Sequence, residues 1–161
     1  SIPQAVAASF DMTIKRKPLP HGLRDTQADS PSNTRMIAEV LATRMRLSSR
    51  EFFLVLGLNA QFLVEAWWVG AVGTTDIVAV QPSDIIGPAL ALGVPNILVV
   101  HNHPSGEAAP SHMDIALTER LESASALMGL RLVDHLVLGR TRSGGPSYAS
   151  LAELGFIGPR R

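Results

Sequence analysis

A chain of 161 residues, 46% of them hydrophobic and with 14 basic against 14 acidic side chains, is sized for one compact domain plus an arm, and is too apolar to be a disordered chain. No apolar run reaches the ~18 residues of a helical membrane span, and the absence of cysteine excludes disulfides, thiolate metal sites and a cysteine nucleophile. The start at Ser1, without a secretory pattern, leads us to expect a trimmed piece of a soluble protein from a reducing, cytoplasmic compartment.

Residues 1–33 read as an arm. Ser9–Lys17 has the pattern of one strand, and Pro18, Pro20, Gly22 and Pro31 then break up the chain. The run Lys15-Arg16-Lys17 reads first as a solvated strand edge and second as an interaction arm. A helix is predicted over Thr34–Leu47, where Met36, Ile37, Val40, Leu41 and Met45 fall near helical spacing and Asn33 or Thr34 serves as N-cap. Phe52–Leu58 and Phe62–Val72, separated by Asn59-Ala60-Gln61, read as a buried strand pair. Adjacent Trp67 and Trp68 then point to opposite faces, so one is core and the other is a candidate binding surface.

Pro82–Leu92 is predicted as a helix, with proline in its first turn and Gly93 just past its end. Asn96–Val100 is a short β-branched strand, followed by a polar loop, His101–Ala109. Pro110-Ser111 opens a helix that runs to about Met128 and stops at Gly129. Leu130–Leu138 is a further strand, Ser143–Pro146 a loop, and Tyr148–Ile157 a short strand with a last helical turn. The alternation, with a hairpin at its start, implies an α/β fold: a mixed β-sheet flanked by helices over residues 34–157, with 158–161 as a tail.

The zero net charge hides an asymmetry. Residues 1–50 balance to +4, 51–130 to −7 with Arg120 as the only cation, and 131–161 to +3. Nucleic-acid backbones bind through clustered Lys and Arg, so the acidic middle is a poor platform for them and a better one for a cation.

The chemistry concentrates in His101-Asn102-His103-Pro104-Ser105-Gly106, followed by Ser111 and Asp114. Two histidines at i and i+2 on extended backbone project to the same side, here at the end of a buried strand. Asp114, on the first turn of the next helix, is close enough to join them. Two imidazoles and a carboxylate make a three-ligand zinc set with a fourth position for water, the catalytic arrangement, in which the water's pKa falls to ~7. A hydrolase of this kind also needs a carboxylate to move protons. Glu51, at the edge of the buried run Phe52–Leu58, is better placed than its rival Glu65 on the second strand. Ser111, one helical turn before Asp114, caps the helix and could donate to an oxyanion. His135, beside Asp134, reads as structural first and as a fourth ligand or an orienting partner second; His112 reads as solvent-facing.

The pattern Glu…His-x-His-Pro-x(6)-Ser-x-x-Asp resembles the JAMM signature of JAB/MPN+ metalloproteases. The stretches His-Asn-His-Pro-Ser-Gly, Leu-Val-Asp-His-Leu-Val-Leu-Gly (132–139) and Tyr-Ala-Ser-Leu-Ala-Glu-Leu-Gly-Phe-Ile (148–157) look more specifically like the RadC-like branch. Gln81 stands where that branch often has His, and residues 1–33 show no counterpart of its helix-hairpin-helix region. The resemblance, from about Thr34 to Ile157, implies a JAB/MPN fold of cytidine-deaminase-like architecture. It further implies Zn2+ on His101, His103 and Asp114, Glu51 as general acid/base and Ser111 stabilising the intermediate. The implied reaction is hydrolysis of peptide or isopeptide bonds in a protein or peptide substrate, with ubiquitin-like conjugates among those taken by the wider family. Two rivals follow from the same residues. One is a DNA-repair-associated or nucleic-acid-processing metal-binding protein, which the acidic middle opposes. The other is a non-catalytic JAB scaffold, which the intact ligand set opposes.

Overall fold

Pro31 opens the first described helix, α1 (Pro31–Met45), three residues before the position that apolar spacing alone predicts. Proline has no N–H to lose at a first helical position, and the Ser30 hydroxyl accepts from the Asn33 N–H at 3.3 Å. Asn33 and Thr34, the expected caps, therefore lie inside the helix, with Thr34 donating back to the Ser30 carbonyl at 3.0 Å. Ile37, Ala38, Leu41 and Ala42 are buried, whereas Met36, expected on the apolar face, is 55% exposed. The computed structural model describes residues 22–23, 26–45, 49–73 and 80–158, so Ser9–Lys17 with its basic run and the expected helix end at Leu47 lie outside the described residues. Leu23 and Ala28 are fully buried and Gln27 bridges to Leu63, so this part of the expected arm packs onto the body.

Among the described residues five strands form one sheet in the order β2-β1-β3-β4-β5. They are β1 (Phe52–Leu58), β2 (Val64–Val72), β3 (Asn96–Asn102), β4 (Arg131–Arg140) and β5 (Pro146–Ser150). Only β3 and β4 are parallel, joined through α3 (His112–Leu127), so the sheet is mixed as the sequence implied. The continuous apolar run of β1 follows from coverage of both faces. Phe53 and Val55 enter a core with Ile85 and Ile86 of α2 (Pro82–Leu92) and Leu117 and Leu121 of α3. Leu54, Leu56 and Leu58 enter a second core against Ile37 and Leu41 of α1.

Both faces being covered also settles the tryptophan pair. Trp68 is 1% exposed in the first core, and Trp67 is half-buried against the second, so the expected outward-facing tryptophan surface is not formed. β2 starts at Val64 rather than Phe62, because the Asn59 side-chain oxygen accepts from the N–H groups of Gln61 (2.9 Å) and Leu63 (3.0 Å) and closes a turn that Phe62 completes at φ 61°. β5 begins at Pro146, inside the segment expected as loop; proline is tolerated as the first residue of an edge strand. After Ser150 the chain makes a turn in which Leu154 N–H donates to the Ser150 carbonyl at 3.1 Å. Among the described residues no helix is long and apolar enough to cross a membrane.

Candidate metal centre

The wholly buried strand β3 runs two residues further than expected, to Asn102, which places His101 on the strand rather than in the loop. His101 pairs in register with Phe53, whose ring stacks on the imidazole at a centroid distance of 4.6 Å and an angle of 10°. His103 follows on the same side. Its N–H donates to the Leu138 carbonyl at 2.9 Å, extending the attachment to β4 by one residue. Its Nδ1 donates to the Glu107 carbonyl at 2.8 Å, because a carbonyl can only accept. The neutral ring therefore keeps an unshared pair on Nε2, which lies 3.1 Å from His101 Nε2.

The return of the chain depends on two glycines. Gly106 sits at φ 91° and accepts from the Arg140 N–H at 2.7 Å, so the loop lies directly on β4 at Gly139. A Cβ at Gly139 would land on the Gly106 carbonyl oxygen.

Asp114 is positioned by helix capping. The Ser111 hydroxyl accepts from the Asp114 N–H at 3.1 Å, and the Ser111 N–H donates to Asp114 Oδ2 at 2.7 Å. This reciprocal box folds the carboxylate back over the helix start. Oδ1 then lies 3.1 Å from His101 Nε2, and Oδ2 lies 3.1 Å from His103 Nε2. Glu51 arrives from the neighbouring strand, with its Oε1 3.8 Å from His101 Nε2 and its side chain 20% exposed. One ligand atom from each of Glu51, His101, His103 and Asp114 lies within 4.8 Å of the others.

The electrostatics favour a cation there. Burial works against the Asp114 carboxylate, but its contacts with the His101 and His103 imidazoles outweigh it and hold its pKa far below the usual carboxylate range. The same contact with Asp114 raises His103, against the opposing effect of burial. Imidazole nitrogens and carboxylate oxygens facing one another at 3.1 Å repel unless something positive lies among them. A divalent ion would meet that need, since two imidazole nitrogens and a carboxylate are a donor set that can hold one.

The structure thus brings together His101, His103, Asp114, Glu51 and Ser111. It keeps Glu65 apart, exposed on β2 and 3.1 Å from the Asn59 side-chain amide, and leaves His112 exposed. Gln81 precedes α2, where its side-chain oxygen accepts from Arg120 at 3.3 Å. A cleft of about 410 Å³ opens beside the cluster, lined by Glu51, His103, Asp114 and Ser111 and by the apolar side chains of Val80, Met113 and Leu117 among others. Two buried neighbours, Asn102 and Thr118, escaped the sequence reading as parts of the site, whereas His135 stands where its reading as an orienting partner puts it. His135 Nε2 is 2.7 Å from His101 Nδ1, so it packs behind a candidate ligand and is not a fourth one.

The family model for the RadC-like JAB domain matches residues 31–156. Similar curated proteins include a UPF0758 protein of Stutzerimonas stutzeri (strain A1501), 38% identical over 134 residues, covering 83% of this chain and 56% of that protein. A UPF0758 protein of Marinomonas sp. (strain MWYL1) is 38% identical over 117 residues, covering 73% and 50%. One of Cellvibrio japonicus (strain Ueda107) is 36% identical over 129 residues, covering 80% and 55%. The chain therefore spans about half the length of the curated relatives it matches.

Proposed function

The chain belongs to the RadC-like JAB domain family, and from that premise we propose that it is a zinc-dependent hydrolase of peptide or isopeptide bonds. The observation that carries this reading is the convergence of His101, His103, Asp114 and Glu51 at the side of an open cleft. His101, His103 and Asp114 hold the ion. When bound, it supplies a Lewis acid that acidifies water and polarises a carbonyl.

The remaining roles belong to the chain's own residues. Glu51 Oε1 stands further from His101 Nε2 than Asp114 Oδ1 does, 3.8 Å against 3.1 Å, and it lines the cleft. That position suits a group that takes a proton from the attacking water and hands it to the departing amine nitrogen. The Ser111 hydroxyl accepts from the Asp114 N–H, which leaves its own proton to donate to the oxyanion of a tetrahedral intermediate. The apolar lining residues Val80, Met113 and Leu117 offer a seat for a side chain of a peptide substrate.

Metal analysis paired with a Glu51→Gln variant tests the reading. We expect one zinc per chain, cleavage of peptide or ubiquitin-like isopeptide probes by the zinc-loaded chain, and loss of that cleavage in Glu51→Gln with zinc retained. Full activity in the variant removes Glu51 from the mechanism. Loss of zinc in Glu51→Gln would make Glu51 a fourth ligand and close the site, which overturns the hydrolase.

A further inference from the structure

The candidate ligand His101 heads a chain of three wholly buried polar side chains, each within hydrogen-bond reach of the next. His101 Nδ1 is 2.7 Å from His135 Nε2, His135 Nδ1 is 2.7 Å from Thr118 Oγ1, and Thr118 Oγ1 is 2.7 Å from the backbone carbonyl of Asp114. The direction of every bond follows from the last one. A carbonyl only accepts, and threonine has a single hydroxyl proton, so that proton goes to the Asp114 carbonyl. The Thr118 oxygen must then accept from His135 Nδ1. A neutral His135 protonated on Nδ1 has an unshared pair on Nε2, so His101 must donate to it from Nδ1. The result is an unshared pair on His101 Nε2, the atom that faces His103 and Asp114 at 3.1 Å. Burial favours the neutral form of the His135 ring.

We infer that Thr118 and His135 are positioning residues which fix the tautomer of His101, so that its Nε2 presents an unshared pair to the metal. No proton is gained or lost in this role; the relay only selects which ring nitrogen carries it. The chain also ends on the peptide of Asp114, so two candidate ligands from different elements, β3 and α3, are tied to one hydrogen-bonded path. Phe53, stacked on His101 and 6.1 Å from the His135 ring, restrains the rotation that would break it. Partners of this kind orient metal-ligating histidines, and their loss lowers metal affinity by about 10–100-fold.

The inference rests on the metal reading above, and the test separates the two. In the metal-free 161-residue chain at about pH 8, long-range proton–nitrogen correlation of the histidine rings should show Nδ1–H on both His101 and His135. Nε2–H on His135 overturns the relay. In Thr118→Val the hydroxyl is lost at nearly constant shape. Cobalt(II) affinity, measured by chelator competition, should fall about 10–100-fold, while Thr118→Ser retains the wild-type affinity and visible spectrum. Wild-type affinity and spectrum in a folded Thr118→Val also overturn the relay. If that variant does not fold, the ring protons of the unmutated chain decide the question. Failure of the unmutated chain to bind cobalt(II) removes the metal reading, and the ring-proton pattern still tests the relay by itself.

Discussion

The side-chain amide of Asn102 holds the backbone on both sides of Glu51: its oxygen accepts from the Phe52 N–H at 2.9 Å and its nitrogen donates to the Arg50 carbonyl at 2.9 Å. Asn102 lies between the two candidate histidine ligands and is 2% exposed. A single buried amide thus sets the distance between the residue proposed to move protons and the residues proposed to hold the metal.

Replacing that amide tests its role. Asn102→Ala should leave zinc content unchanged and reduce kcat by about 100-fold, the effect expected from roughly 1 Å of misplacement of a reacting group. The measurement is steady-state cleavage alongside metal analysis. Equal kcat in the folded variant would show that β1 alone positions Glu51.

Gly139→Ala places a methyl group against the Gly106 carbonyl, where the backbone of the histidine loop has nowhere to retreat without giving up its bond to the Arg140 N–H. The expected cost is about 1–3 kcal/mol in denaturant unfolding, together with weaker metal binding, because the strained loop carries His103. A stable variant with unchanged metal affinity would show that the loop can shift freely.

Asp134 is 1% exposed and turns its carboxylate away from the metal cluster, accepting from the His135 N–H at 2.7 Å, the Ser150 hydroxyl at 2.6 Å and the Ala152 N–H at 3.1 Å. It fastens the turn after β5 to β4. Asp134→Ala leaves these buried donors unpaired and should destabilise the chain by about 3 kcal/mol or more. Urea unfolding checks this; a change below about 0.5 kcal/mol would contradict it.

The response of the metal-free site to pH follows from the two shifts at its centre. His103 is raised by its contact with Asp114, so its charged form contributes stability that is fully present below 6.5 and is lost as pH rises through the raised folded value. Asp114 is depressed, so its contribution is present above 3.8 and is lost as pH falls through the lower folded value. The metal-free site should therefore stabilise most between these two ordinary values. A metal needs the imidazoles unprotonated, so proton and metal compete. The difference in Tm between zinc-loaded and chelator-treated protein should widen from about pH 5.5 to about pH 8. A difference that stays constant with pH would show that the metal binds elsewhere.

Local signals made much of the chain legible. The strand Phe52–Leu58 and the helix from Pro82 to Gly93 announce themselves through an apolar run, a proline and a glycine. His101, His103, Ser111 and Asp114 span only fourteen residues, so strand geometry and helix capping suffice to bring them near one another. The start of α1 was misread because Asp29–Asn33 has the composition of a loop, although Pro31 can open a helix. The expectation that one of Trp67 and Trp68 forms an outward surface fails because only a second packed layer shows that both faces of the sheet are covered.

The approach of Glu51 depends on the antiparallel register that sets Phe53 opposite His101, a pairing between segments nearly fifty residues apart. His135 reaches His101 through the parallel pairing of β3 with β4, and Thr118 completes the path because α3 crosses the same face. Composition and periodicity determined which residues had to be buried and which short segment had the donors for a metal. Tertiary structure alone decided which distant side chains stand behind those donors, because a hydrogen bond is specified by the position of both partners and the sequence places them only relative to their own neighbours.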